Sequence, residues 1–150
     1  ELDNMSLIET RKPRLGNIIQ AEERGEYGYC RKTVVANEAT QKTYVAGTVL
    51  GKVTAGGKYK ILEASAADGS QNFAGIYVGS AALTADDFQT VAATTDTNVV
   101  ILYRDAIVGK AGLVFGASVD TQGERDAIYA QMDAVGIKVL DQPDSLTTNN

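Results

Sequence analysis

The sequence predicts a mainly β domain with one helix near its C-terminal end and an extended N-terminal arm. Three observations carry this. Residues 43–62, TYVAGTVLGKVTAGGKYKIL, space Val45, Val49 and Val53 on one parity ahead of a glycine turn, the pattern of a strand and its return. Residues 99–103, VVILY, form an apolar run of strand-forming types. Helical periodicity is clear only over residues 121–136.

Residues 1–32 read as the arm. Their apolar residues come in isolated pairs, Leu7-Ile8 and Ile18-Ile19, separated by Arg11, Lys12, Pro13 and Arg14. Pro13 biases Lys12 toward extended backbone. Such a segment buries too little by itself to offset its ordering entropy. It is therefore expected to lie along a partner, the alternative being an arm folded back on its own domain. The partner contacts expected on it are Leu7, Ile8, Arg11, Lys12, Pro13, Arg14, Ile18, Ile19, Tyr27 and Tyr29. Tyrosines suit such a surface because they join apolar area to a polar tip. Glu1 need not be the mature N-terminus, since the first Met is Met5.

Residues 33–142 read as the β-rich domain. A short strand is expected over 33–36 and a loop over 37–40. Residues 44–62 form a hairpin. A three-residue loop would set Val53 opposite Tyr59 and Gly51 opposite Ile61, with Lys52 and Lys60 together on the wet face; a one-residue slip would bury lysines. Residues 63–72 are a polar turn segment, and 73–79 a strand whose Gly75 suggests a bulge. Residues 80–96, rich in Ala, Thr and Asp, read as a long surface loop with one helical turn at 85–88. Residues 98–108 read as a strand covered on both faces, interrupted by Arg104-Asp105. Gly109-Lys110-Ala111-Gly112 is a turn, and 113–115 a short return strand. Thr121 with Glu124 fits a capping box. Ile128, Met132 and Val135 share a helical face, widened by Ala127, Ala130 and Ala134, and Gly136 stops the helix. Residues 137–140 are a last strand, and 143–150 a polar tail.

Composition narrows the function. The net charge of −5, with both signs interspersed, argues against a phosphate-gripping nucleic-acid protein. With no histidine, Ser-His-Asp and Cys-His machinery are excluded. A single cysteine, Cys30, allows no internal disulfide and leaves a structural zinc short of ligands. No run approaches the roughly 20 apolar residues of a membrane helix. Gly109, Gly112 and Gly116 read as turns rather than a phosphate loop, and Asp86-Asp87 as a solvated pair. No catalytic, metal or cofactor site is expected.

Four pieces in order, AGTVLGKVTAGGKY (46–59), DGSQNFAGI (68–76), VVILYRDAIVGKAGLVF (99–115) and ERDAIYAQMDAVGIKV (124–139), resemble the head decoration proteins of tailed bacteriophages, the group that includes the lambda decoration protein D. The likeness runs from Thr33 to Leu140. It implies a small β-barrel of the β-tulip type with little helix. It also implies a cement protein of the virion, seated as homotrimers on the outer surface of the expanded capsid. The arm, by position, would clamp the major capsid protein, with no nucleic acid or membrane as partner. Two other readings come from the residues alone. One is a free-standing β-barrel module binding carbohydrate or protein on a cell surface. The other is an enzyme working through carboxylates such as Asp68, Asp86 or Asp105, which the absence of Trp and scarcity of aromatics disfavour.

Overall fold

The computed structural model describes residues 18–23, 30–80 and 88–141. The described residues are mostly β, with one α-helix near the C-terminal end. Five strands close a barrel: β2 (Arg31–Ala36), β5 (Tyr59–Ile61), β4 (Val49–Lys52), β6 (Phe73–Ser80) and β8 (Thr97–Leu102), in that order around it. A two-stranded sheet of β3 (Lys42–Val45) and β7 (Phe88–Val91) accompanies it. A three-stranded sheet has the order β1 (Ile19–Glu22), β9 (Ala106–Gly109), β10 (Ile137–Leu140), and the helix α1 spans Gln122–Ala134.

Period-2 alternation explains how the barrel strands are covered on both faces. Leu50, Tyr77, Val99 and Ile101 turn into the barrel, where they meet Ala36, Tyr59, and Tyr44 and Val91 from the β3–β7 pair. Their neighbours Val49, Ile76 and Leu102 turn outward into a second core. That core is closed by Val108, Leu113, Val119, Ile128, Met132 and Ile137 from β9, β10, α1 and the segment between. The apolar run in β8 thus serves two cores. Each side chain of this size removed from water stabilises by roughly 1.5–3 kcal/mol.

Among the described residues one carboxylate is buried. Glu38 is 4% exposed. It accepts a hydrogen bond from the Tyr44 hydroxyl and another from the Ile61 N–H (2.8 Å). Burial, then the bond to Glu38, raises the Tyr44 hydroxyl's pKa, so it stays protonated and donating.

Several expectations are corrected. The hairpin strand over 44–53 is two strands, because Gly47 turns out of line at φ 98°. A Cβ there would lie 2.1 Å from the Gly112 carbonyl oxygen, an approach only glycine permits. β3 consequently pairs with β7, and β4 with β5 and β6. The hairpin register also differs: Lys52 faces Tyr59, Gly51 faces Lys60 and Leu50 faces Ile61. Its loop has one more residue than expected, closed by the Val53 N–H on the Lys58 carbonyl (2.9 Å). The lysines stay wet on opposite faces. Lys52 lies over the Tyr59 ring (5.8 Å), and Lys60 pairs with Glu63 (3.4 Å) and Asp68 (3.7 Å). Gly51 is held to glycine by the Ser70 backbone, whose oxygen sits 2.1 Å from where a Cβ would be.

The expected loop over 80–96 contains β7; the helical turn proposed at 85–88 lies outside the described residues except Phe88, which begins that strand. The strand over 98–108 divides into β8 and β9 at Asp105, which takes φ 49°. The return strand over 113–115 is reduced to a single bridge between Thr48 and Val114. In α1 the capping box is present as read, and Ile128 and Met132 are buried. Val135 instead stays 40% exposed, because the helix ends one residue earlier.

Candidate interaction face

The three-stranded sheet carries the start of the described chain. β1 runs antiparallel to β9, with Ile19 opposite Val108 and Glu22 opposite Ala106. Ile18 ahead of it is fully buried. Its carbonyl accepts from the Gly109 N–H (2.8 Å), and its side chain reaches the Gly47–Gly112 contact. Ile19 packs half-buried against the outer core.

The far end of β1 is tied down by several bonds. Arg31 makes a bidentate pair with Glu22, both contacts at 2.7 Å, the geometry in which guanidinium and carboxylate bind best. The Asp105 carbonyl accepts from the Glu23 N–H (3.0 Å) and from the Cys30 thiol (3.2 Å), which also reaches the Glu23 carbonyl (3.2 Å). Burial is the largest cause raising the Cys30 pKa, so the thiol stays protonated and acts as a structural donor.

Of the contact residues read from the sequence, Ile18 and Ile19 therefore turn toward their own domain. Leu7, Ile8, Arg11, Lys12, Pro13, Arg14, Tyr27 and Tyr29 lie outside the described residues. β10 runs parallel to β9, with Leu140 opposite Gly109. The chain thus comes in at Ile18 and goes out past Asp141 at one end of the same sheet.

Beside that end lies an open groove of about 510 Å³, lined by Lys110, Leu113, Val114, Phe115, Val119, Gln122, Arg125 and Tyr129. The floor is apolar. Phe115 meets Tyr129 edge to face (6.0 Å), and Val114 is 38% exposed. Lys110 lies over the Tyr129 ring (5.0 Å) and pairs with Asp141 (2.9 Å). These residues were not singled out from the sequence. The signal was present in α1: Gln122, Arg125 and Tyr129 fall at i, i+3, i+7, a stripe beside the Ile128–Met132 face. At the other end of the sheet, Glu22, Glu23, Asp105 and Lys138 help line a second groove.

Of the carboxylates weighed for catalysis, Asp68 has a structural partner. Asp68 accepts from the Ser70 hydroxyl (2.5 Å) and N–H (3.0 Å), which together hold its pKa below the usual range. Asp105 marks the β8–β9 break. Asp86 lies outside the described residues. Among the described residues no three His, Cys, Asp or Glu side chains gather as metal ligands, and no helix is long and apolar enough to cross a membrane.

A family model described as Bacteriophage lambda head decoration protein D matches residues 8–137. It reaches upstream of the Thr33–Leu140 likeness, into the arm. No curated protein matches the chain.

Proposed function

The chain belongs to the bacteriophage lambda head decoration protein D family, and from that premise we propose that it is a capsid cement protein. It sits as a trimer on the outer surface of the expanded head, binds the major capsid protein and braces the shell against packaged DNA. The observation that carries this reading is the common exit. The described chain begins at Ile18 and reaches Asp141 at one and the same end of the β1–β9–β10 sheet. An arm that leaves from one face can grip the shell only if that face is turned toward it.

The physics is linkage and multivalency. A protein that binds the expanded shell and not its precursor stabilises the expanded state in proportion to its occupancy. Contacts too weak singly become strong when one assembly grips several subunits. An arm that adds a strand to an exposed sheet edge gains backbone hydrogen bonds with few sequence demands. This suits residues 1–17, which carry no distinctive motif.

The test is co-sedimentation with undecorated heads at rising protein concentration. Saturation at a fixed ratio to the major capsid protein on expanded heads, and none on unexpanded ones, is expected. Failure to bind either form would overturn the reading and return the free-standing binding module to first place.

A further inference from the structure

We propose that the groove between α1 and residues 110–115 seats a segment of the shell subunit that presents a carboxylate beside an apolar side chain. The inference rests on the cement reading above and names a second contact, apart from the arm. Three observations carry it.

The floor is apolar and open, with Val114 38% exposed beside the Phe115–Tyr129 pair. In water this costs free energy that a docked apolar side chain would recover.

Lys110 and Arg125 line the groove, with the carboxylates of Asp141 and Asp126 close by, in a protein of net charge −5. Lys110 already holds a carboxylate, that of Asp141, at 2.9 Å. Arg125, on the helical side, has no ion pair among the described residues. A guanidinium matches a carboxylate through two parallel N–H donors. One guanidinium left without an ion pair beside an apolar floor suits one acidic, apolar peptide segment and not a polyanion, which needs a longer basic track.

The position is the third observation. The groove adjoins Gly109 and Gly112, where Ile18 is anchored, so it lies at the end of the sheet where the described chain begins. A seat there engages the shell together with the arm, and each raises the effective concentration of the other.

The test compares binding of wild type, Val114→Asp, Arg125→Glu and Arg125→Lys to expanded heads, with thermal unfolding of each variant as the control for folding. Val114 is exposed on the floor and Arg125 is half-buried on the rim, neither in the core, so unchanged unfolding is expected. Val114→Asp and Arg125→Glu should each weaken binding about tenfold or more, and Arg125→Lys should recover part of it. Hydrogen exchange at residues 113–115 and 125–129 should slow on the heads. Wild-type affinity in both disruptive variants overturns this inference alone. Failure of the wild type to bind overturns the cement reading and this inference with it. Faster exchange at the groove in free protein lacking residues 142–150 would assign the groove to the chain's own tail. A concentration-dependent mass increase abolished by Val114→Asp would assign it to a second copy. Either of these last two results overturns the proposal.

Discussion

Gly47 is the residue on which the barrel, the outer core and the arm anchor converge. Its φ of 98° breaks the strand, and the Gly112 carbonyl and the Ile18 side chain pack where a Cβ would stand. Gly47→Ala should destabilise by at least about 2 kcal/mol, combining left-handed strain with the clash, as read from the denaturant midpoint. An unchanged midpoint would mean that this approach is looser than described. Inside the barrel the decisive pair is Glu38 with Tyr44. Tyr44→Phe keeps the ring in its edge contact with Tyr77 (5.6 Å) but removes a donor from a buried carboxylate. The expected cost is about 1–3 kcal/mol, measured by urea unfolding; a neutral result would show that water or another donor replaces the hydroxyl. Neither role is readable in the sequence. Glu38 stands in a polar loop, and its burial is created by β3 crossing to β7 and by Ile61 arriving from the hairpin.

Elements differ in how much of their cause is local. α1 is legible because its start is written within four residues: the Thr121 hydroxyl accepts from the Glu124 N–H (3.3 Å), and the Glu124 carboxylate accepts from the Thr121 N–H (3.1 Å) and the Asp120 N–H (3.0 Å). Thr121→Ala should cost about 1 kcal/mol, checked by thermal unfolding. The backbone bonds from Thr121 and then Asp120 hold the Glu124 pKa below its ordinary value of 4.5. The stabilisation is therefore present above that value and is lost as the pH falls through the lower folded one. An acid titration of stability should show Glu124→Gln converging with wild type at low pH; a constant gap would refute the assignment. β6 and β8 are legible for a similar reason, since their apolar residues mark them whatever they pair with. β7 is not, because FQTV among small polar residues becomes a strand only through its pairing with β3. The hairpin register differs from the expected one because its lysines need no shared wet face: Lys52 lies over an aromatic ring and Lys60 is ion-paired. The groove is hidden because Lys110, Val114 and Tyr129 meet only once α1 has packed beside the segment that follows β9.

At the scale of the whole molecule, the structure divides the predicted arm into two parts with separable consequences. Residues 18–23 belong to the domain's own sheet through Ile18, the β1–β9 pairing and the Glu22–Arg31 pair. Residues 1–17 precede that anchor and, on the cement reading, are the part left to reach the shell. Two deletions test the division. Removing residues 1–17 leaves every described element in place, so the domain should unfold at the wild-type temperature. Its binding to expanded heads should nevertheless weaken by at least about a hundredfold, because one of several linked contacts is gone. Removing residues 1–23 strips β1 as well. That bares the β9 edge, opens the pocket of Ile18 and leaves Arg31 without Glu22, so the melting temperature itself should fall by several degrees or more. If the shorter deletion already lowered the melting temperature, residues 1–17 would be packing on their own domain, and the clamp would have to be sought elsewhere. If it left both stability and head binding untouched, the arm would have no part in the grip, and the groove beside Tyr129 would be left as the contact to test alone.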